Sequence, residues 1–301
     1  MDTSGTPHVA IVTGASRGIG RAIAVRLAAE GVKVLVTARS LRPGSGTYTG
    51  SLQETVDEIR ALGGDARPFA VDLADTAFDR SAIVAAAADA FGAPVDIVVH
   101  NAAAQRRFEF TFESMTADIF RESVEVNVWA GWDLAQKSLR GMRDRGAGWI
   151  VFISSRGAAP KIGPPYVNHP QVHAQCLYGS SKAMMDRLVT GAASELYDDN
   201  IAVNALAPEG AVATDNAMKV ASVTAAMSEP LETMAEATFA LCSAPPREFT
   251  GRVTYSLSLL VTLGRPVMSL DGREKVAGWQ PDDIDRSRLG ADYLVGVGAA
   301  R

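Results

Sequence analysis

Short, fully apolar segments alternate with longer segments of helical periodicity along most of this chain. The segment HVAIVT at 8–13 is brief and β-branched, and residues 18–30 then repeat apolar side chains one helical turn apart, at Ile19, Ile23 and Leu27. Strands that are apolar throughout are buried on both faces, as in a parallel sheet that helices cover. The alternation therefore predicts an α/β fold with a doubly wound parallel β-sheet flanked by helices.

Further segments extend the same pattern and set the predicted domain limits. Predicted strands lie at 32–38, 66–71, 95–100, 149–154 and 201–206. Predicted helices lie at 51–62, 76–91, 114–145 and 178–198. No repeat or linker interrupts the pattern, so residues 1–262 are predicted to form a single domain. Residues 263–301 are polar and aperiodic, and they are predicted to be an appendage, either a disordered tail or a wrap around the body or a neighbouring subunit.

Composition removes several classes of function. The net charge is −5, which gives no basic surface for nucleic acid. No apolar run reaches the roughly 18 residues that a membrane span needs. Two cysteines, Cys176 and Cys242, cannot form a disulfide framework, which predicts a reducing, cytoplasmic location. His169 and His173 have a metal-ligand spacing, but Pro170 lies between them and no third ligand is evident, so no metal site is predicted.

The first predicted strand runs directly into a glycine-rich turn that opens a helix. Glycine permits a tight turn and close approach of backbone N–H groups to a pyrophosphate, and the helix N-terminus adds partial positive charge. The turn therefore predicts dinucleotide binding, although an ordinary glycine-rich turn is the alternative. The predicted cofactor residues here are Gly14, Ser16, Arg17, Gly18, Ile19 and Gly20.

The end of the second predicted strand indicates which dinucleotide binds. An acidic residue about 20 positions after the turn normally accepts the ribose hydroxyls of NAD, but this strand ends in Thr37-Ala38-Arg39-Ser40. Arg39 suits a bidentate pair with a 2′-phosphate, and Arg17 approaches the same phosphate from the turn. The sequence therefore predicts NADP over NAD, with Arg39 and Ser40 at the adenosine end. The alternative is that both arginines are solvated surface charges.

Tyr178 and Lys182 lie four residues apart at the start of a predicted helix, which places the phenol and the ammonium on one face. A cation about 4 Å from a phenol favours the phenolate by roughly 4 kcal/mol at an effective dielectric of 20. This pair therefore predicts acid–base chemistry near neutral pH.

With both motifs present, the chain resembles the short-chain dehydrogenases/reductases over about 8–262. The resemblance implies a Rossmann-like fold and an NAD(P)-dependent oxidoreductase with catalytic residues Asn127, Ser155, Tyr178 and Lys182. Tyr178 would exchange a proton with the substrate oxygen, and Ser155 would hydrogen-bond that oxygen. Lys182 would hold the nicotinamide ribose, and Asn127 would hold a water that relays protons from Lys182. The bland alternatives are that Asn127 satisfies helix backbone and that Ser155 is a strand-end hydroxyl, with Ser154 as its competitor.

The resemblance also implies further cofactor contacts. Asp72 and Leu73 would meet the adenine, and Thr214 with Val212 would lie near the nicotinamide or phosphates. Asn101 and Ala102 match the family's Asn-Ala-Gly segment, which ends here in alanine. All of these follow predicted strands. The residues are Asp72, Leu73, Asn101, Ala102, Val212 and Thr214.

Two departures from the family pattern stand out. Ser155 and Tyr178 are 23 residues apart, where the family usually has about a dozen, so 161–175 is predicted to be an extra loop near the substrate mouth. Tyr166 in that loop is a rival phenol, but position 170 is proline, so it has no lysine partner. The family's Pro-Gly appears as Pro208-Glu209-Gly210, which puts the local nicotinamide contact in doubt.

These features predict an NADP(H)-dependent oxidoreductase that interconverts a secondary alcohol and a ketone. Proline-rich and methionine-rich segments near the mouth hint at a lipophilic substrate such as a steroid, terpenoid, acyl thioester or aromatic ketone. The alternative is a non-catalytic nucleotide sensor or scaffold that keeps the cofactor site. The resemblance further implies a homotetramer or homodimer that assembles through the helices at 114–145 and 178–198.

Overall fold

Strands of the chain form a parallel sheet at the centre of the molecule. The computed structural model describes residues 8–45, 49–104, 110–166, 175–212, 214 and 228–289. The sheet strands are β1 Val9–Thr13, β2 Lys33–Ala38, β3 Ala66–Ala70, β4 Ile97–His100, β5 Gly148–Ile153, β6 Ile201–Ala207 and β9 Val253–Tyr255. Their order is β3-β2-β1-β4-β5-β6-β9, all parallel. Between β6 and β9 in the chain, β7 Ala211–Val212 and β8 Ser228–Glu229 form a separate parallel pair.

Helices cover both faces of this sheet. They are α1 Gly18–Ala29, α2 Leu52–Ala61, α3 Ser81–Phe91, α4 Ala117–Val124, α5 Ala130–Arg145, α6 Cys176–Glu195, α7 Leu231–Ser243 and α8 Ser256–Leu263. A π-helical turn, Glu125–Trp129, joins α4 to α5. The predicted doubly wound parallel sheet flanked by helices is confirmed.

Successive residues of the central strands point into two different cores, as the period of two requires. Val12 packs into one core with Ile23 of α1. Its neighbour Ile11 packs into the other core with Ile83 of α3 and Leu134 of α5. Both faces are thus buried, which explains why the strands lack polar alternation.

Strand β3 tolerates a proline because it lies at the edge of the sheet. Pro68 pairs with Val36 of β2, and β3 is the outermost strand of the sheet that the described residues form. Proline cannot donate a ladder hydrogen bond, so it is confined to such edges. Strands β1, β4 and β5 are neighbours at the centre of the sheet. The glycine turn and several polar residues of the site follow the carboxyl ends of these strands.

Two predicted helices differ from the observed ones. The helix predicted at 76–91 begins only at Ser81, because Asp75 and Asp79 accept hydrogen bonds from the N–H groups two residues ahead and form turns instead. The stretch predicted at 114–145 starts at Ala117 and is interrupted by the π-helical turn. Local periodicity does not reveal such a turn, because long-range contacts stabilise it.

Sequence reasoning missed α7 and β9–α8 altogether. Almost every residue of α7 after its first turn is buried, so no polar face marks it as an amphipathic helix.

The described part of the appendage, 264–289, lies against the body. Val267 is fully buried, and Trp279 packs against the core beside α1. Residues 290–301 lie outside the described part of the chain.

Among the described residues, no helix combines the length and the apolar character needed to cross a membrane.

Candidate active site

The glycine turn after β1 depends on three glycines for two different reasons. Gly14 and Gly18 have φ values of +67° and +54°, which side chains other than glycine rarely adopt. Gly20 is helical, but a Cβ there would lie 2.4 Å from the Gly14 carbonyl oxygen and from Asn101 Nδ2. Arg17 precedes α1 without a side-chain cap, and no acidic residue lies in the first turn of that helix. The turn therefore presents the positive end of α1 to the adjoining cavity.

A hydrogen-bonded network fixes the neighbouring end of β4 to this turn. Asn101 Nδ2 donates to the carbonyl oxygens of Thr13 (3.0 Å) and Gly14 (3.2 Å). Thr13 Oγ1 accepts from the backbone N–H groups of Asn101 and Ala102, both at 3.1 Å. Its own proton therefore faces His100 Nδ1, also at 3.1 Å. His100 Nε2 is then the protonated nitrogen and donates to the Val126 carbonyl at 3.0 Å.

His100 thus connects the glycine turn to the π-helical turn, and it is wholly buried. Gly131 allows α5 to pass the imidazole, since a Cβ at that position would lie 2.3 Å from the ring. Burial, followed by the positive charge of Lys182, lowers the pKa of His100 from 6.5 to about 3. The imidazole is neutral at ordinary pH, as its two hydrogen bonds require.

We expect His100 to give the unfolding free energy a pH dependence of known sign. Below pH 6.5 the unfolded chain protonates His100, whereas the folded chain does so only near pH 3. This contribution to stability is complete above about pH 6.5 and is lost as the pH falls. Between pH 6.5 and 4.5, wild type is expected to lose about 2 kcal/mol more than His100→Gln. Urea unfolding at both pH values measures the difference, and equal losses would contradict the assignment.

Tyr178 and Lys182 lie one turn apart near the start of α6. Lys182 is buried, with Nζ 5.9 Å from the centre of the Tyr178 ring, and Nζ donates to the Ile153 carbonyl at 2.6 Å. Ile153 is the last residue of β5. The ammonium is thereby held between the helix and the end of the sheet, on the side of the cavity.

Ser155 lines the same cavity as this pair, in the segment after β5 that packs on α6. Ser155 Oγ accepts from Gly157 N–H at 3.1 Å. A Cβ on Gly157 would lie 3.4 Å from Ser155 Oγ and 4.0 Å from Tyr178 Cδ1, so this short turn lies between the two residues. A Cβ on Gly179 would lie 2.5 Å from the Gly157 carbonyl oxygen. Glycine at position 179 lets the segment after β5 pack directly on α6. The competitor Ser154 lines the same cavity, but it is buried and its hydroxyl lies next to the Asp186 carboxylate.

Asn127 lies in the π-helical turn and is wholly buried. Its Oδ1 accepts from Ala104 N–H at 2.7 Å, and its Nδ2 donates to Ser181 Oγ at 2.9 Å. Ser181 in turn donates to the Tyr178 carbonyl at 2.8 Å. The side chain of Asn127 therefore ties the loop after β4 to the helix that carries Tyr178.

Asp186 is a polar residue near the site that sequence reasoning missed. It lies one turn beyond Lys182 on α6 and is 2% exposed. Burial raises the pKa of Asp186 to about 6, while the Ser154 hydroxyl and the Lys182 charge act in the opposite direction. No local motif marks it, because its burial depends on α6 packing against the sheet.

One cavity of about 690 Å³ brings the two motifs together. The predicted site residues line it, except for Gly20, Asn127 and Val212. Gly20 and Asn127 support the wall from behind through the contacts above, and Val212 is buried in the core. The cavity wall also includes residues that the sequence did not indicate, among them Glu54, Glu58, Glu122, Val126, Leu231 and Leu270.

Arg39 and Arg17 both lie at the end of the cavity formed by β2 and the loop after β3. Arg39 Nη1 is 4.0 Å from Asp72 Oδ2, and both side chains are about half exposed. An exposed pair of this kind is worth at most about 1 kcal/mol, so it holds Arg39 only weakly. Arg17 Nη1 donates to the Thr49 carbonyl at 3.1 Å.

The extra residue at Glu209 does not fill the cavity. Pro208 lines the cavity, whereas the buried Glu209 carboxylate accepts from Ser258 N–H (3.4 Å) and Ser258 Oγ (3.2 Å) at the start of α8. The Glu209 carbonyl accepts from Arg156 Nη1 at 2.9 Å. The segment after β6 is thus joined to the segment that carries Ser155.

Some sequence expectations fall on undescribed residues. His169, Pro170 and His173 lie outside the described ranges, as does most of the predicted 161–175 loop. Within the described ranges, no three histidine, cysteine or acidic residues cluster as metal ligands. Tyr166 is described and is 61% exposed.

Comparison with known proteins identifies the family. A family model described as short chain dehydrogenase matches residues 8–224. The 7alpha-hydroxysteroid dehydrogenase of Escherichia coli strain K12 is 35% identical over 206 residues, which cover 68% of this chain and 71% of the relative.

Solved structures of dehydrogenases superpose on most of this chain. A short chain dehydrogenase from Mycobacterium thermoresistibile superposes with a TM-score of 0.73 at 27% identity, over 96% of this chain and 95% of that one. A 7 alpha-hydroxysteroid dehydrogenase in complex with NADH and 7-oxo glycochenodeoxycholic acid superposes with a TM-score of 0.69 at 29% identity, over 83% of this chain and 92% of that one. A gluconate 5-dehydrogenase-like protein from Beutenbergia cavernae with bound NADP superposes with a TM-score of 0.67 at 29% identity, over 84% of this chain and 96% of that one. The chain therefore belongs to the short-chain dehydrogenase/reductase family of NAD(P)-dependent oxidoreductases.

Proposed function

We propose that the protein is an NADP(H)-dependent oxidoreductase that interconverts a secondary alcohol and a ketone. The observation that carries this proposal is that Tyr178, Lys182 and Ser155 line the same cavity as the glycine turn at Gly14 and Gly18. The cavity fits a dinucleotide because its wall includes the positive end of α1 and the backbone of a turn in which Gly14 and Gly18 adopt positive φ values.

Each catalytic residue then has a defined task. Bound nicotinamide supplies or accepts the hydride. Tyr178 donates its phenolic proton to the carbonyl oxygen in reduction and takes a proton from the hydroxyl in oxidation. Ser155 donates a hydrogen bond to the same oxygen and orients it. The buried Lys182 ammonium favours the phenolate that remains, and Asn127 fixes the backbone from which Tyr178 projects.

Arg39 and Arg17 support NADP as the preferred cofactor, with Ser40, Asp72 and Leu73 completing the adenosine end of the cavity. Two guanidinium groups near one dianion favour the 2′-phosphate. Structures of relatives carry either NADH or NADP, so the preference needs its own test.

Replacing Arg39 with aspartate is expected to raise the NADPH dissociation constant by roughly 100-fold, because a charge-assisted pair is replaced by repulsion. The NADH dissociation constant should change by less than about threefold, since NADH has no 2′-phosphate there. Fluorescence titration with both nucleotides measures the ratio. Arg140→Asp, at an exposed position on α5, is the matched control for net charge. Equal losses for both nucleotides would contradict the phosphate assignment.

We propose a lipophilic substrate, and the hydroxysteroid dehydrogenase relative supports a steroid-like ketone as the first choice. A panel of steroid, terpenoid, acyl-thioester and aromatic ketones with NADPH, and of the matching alcohols with NADP, tests the function directly. Turnover of a ketone in this panel is the expected result. Tight NADPH binding with no turnover of any member would favour a nucleotide sensor instead.

We further propose a homo-oligomer in which the α4–α5 region and α6 form the contact. Phe120, Trp129 and Met184 on these elements are each more than 40% exposed, and apolar side chains of this size support a protein contact surface. Sedimentation velocity would show a dimer or tetramer. The cytoplasmic location indicated by the cysteine content stays a prediction.

A further inference from the structure

The segment after α8 forms a compact turn, which we call the C-terminal turn and define as residues 267–276. Met268 pairs with Lys275 in an antiparallel bridge, and Val276 N–H donates to the Val267 carbonyl at 2.9 Å. Ser269 N–H donates to the Glu274 carbonyl at 2.7 Å, which closes the tip. The tip contains Leu270, and its shape is therefore set by backbone hydrogen bonds.

The base of the C-terminal turn is anchored to the body. Val267 is fully buried in the core beside α1. Gln280 Nε2 donates to the carbonyls of Val267 (3.0 Å) and Val276 (2.7 Å). Arg265, just before the turn, donates to the buried Glu236 of α7 at 2.6 Å. A turn fixed at its base in this way holds its tip in a defined place.

The C-terminal turn lies along α1. A Cβ on Gly272 would lie 3.2 Å from Arg26 Nη1, in the last turn of α1, and Ile19 lies two helical turns earlier on the same face. Leu270 lines the cavity together with Ile19 and with Leu231, the first residue of α7. All three side chains pack against the same core. Three distant parts of the chain thus form one apolar wall beside the glycine turn.

We propose that the C-terminal turn is part of the dinucleotide site, with Leu270 covering the cofactor where it meets the start of α1. An apolar cover excludes water from the diphosphate, and in the lower dielectric the charge attraction to the helix end is stronger. A cover of this kind acts mainly on the dissociation rate. The inference rests on the proposed NADP(H) binding and adds a residue that lies outside both motifs.

Variants at Leu270 test this role through NADPH binding. Leu270→Asp is expected to raise the NADPH dissociation constant by about tenfold or more and Leu270→Ala by about threefold, mostly through faster release. Leu270→Met, which keeps an apolar side chain of similar size, and Leu263→Ala, at an exposed leucine of α8, should stay within about twofold. Wild-type affinity in Leu270→Asp would overturn the proposal.

Hydrogen exchange of the unmodified protein gives a second measurement that does not depend on variants folding. NADPH should protect the backbone amides of 266–276 together with those of 13–20. Protection at 13–20 with no change at 266–276 would overturn this inference and leave the proposed function standing. No NADPH binding and no protection at either segment would overturn the proposed function, and this inference with it.

Discussion

Replacing Tyr178 with phenylalanine is expected to lower kcat for ketone reduction by about 10³-fold, because general acid catalysis by a positioned side chain contributes factors of this size. The ring and its packing on α6 remain, so only the proton donor is lost. The NADPH dissociation constant should stay within about twofold of wild type. Steady-state kinetics with a substrate from the ketone panel, together with fluorescence titration of NADPH, measure both quantities.

Tyr166→Phe is the matched control, because it removes the same hydroxyl from an exposed tyrosine of the loop before α6. It should leave kcat within about twofold. If Tyr178→Phe kept more than a tenth of wild-type kcat, the proton would have to come from another group. If Tyr166→Phe showed the large loss instead, the assignment of the catalytic phenol would be wrong.

The parts of the site that depend on short stretches of sequence were predictable. Gly14, Gly18 and Gly20 are required by backbone angles and close contacts within a single turn, so their spacing is visible in the sequence. Tyr178 and Lys182 share a helical face, which follows from a separation of four residues. The parallel sheet was predictable for a similar reason, since burial on both faces removes polar residues from each strand.

Contacts between distant segments were not predictable in this way. Ser155 and Tyr178 line one cavity because Gly179 lets the segment after β5 pack closely on α6, and nothing in the spacing of 23 residues shows this. Leu270 lines the same cavity as the glycine turn, although the two lie more than 240 residues apart in the sequence. They meet because the base of the C-terminal turn is anchored in the core. Single-sequence patterns describe each element but not which elements meet.

The same long-range packing makes Glu236 a position where a substitution is expected to lower the unfolding free energy strongly. Glu236 of α7 is 2% exposed, and its carboxylate accepts from Arg26 Nε at 2.7 Å and from Arg265 Nε at 2.6 Å. Both guanidinium groups also lie 4.7 Å from the centre of the Phe239 ring. Removing the carboxylate leaves Arg26, itself 3% exposed, with Glu30 as its one remaining ion-pair partner among the described residues. We expect Glu236→Ala to lower the unfolding free energy by about 3–5 kcal/mol, and the melting temperature by about 10 °C.

Urea unfolding followed by circular dichroism measures this loss, and Glu195→Ala, at an exposed acidic residue of α6, is the control, with an expected change below about 0.5 kcal/mol. Glu236→Gln should still lose more than the control, because the amide keeps the shape but cannot neutralise a buried guanidinium. A change in Glu236→Ala no larger than in Glu195→Ala would show that the ion pairs contribute no net stability. α1, α7 and the segment leading into the C-terminal turn would then be held together by apolar packing alone.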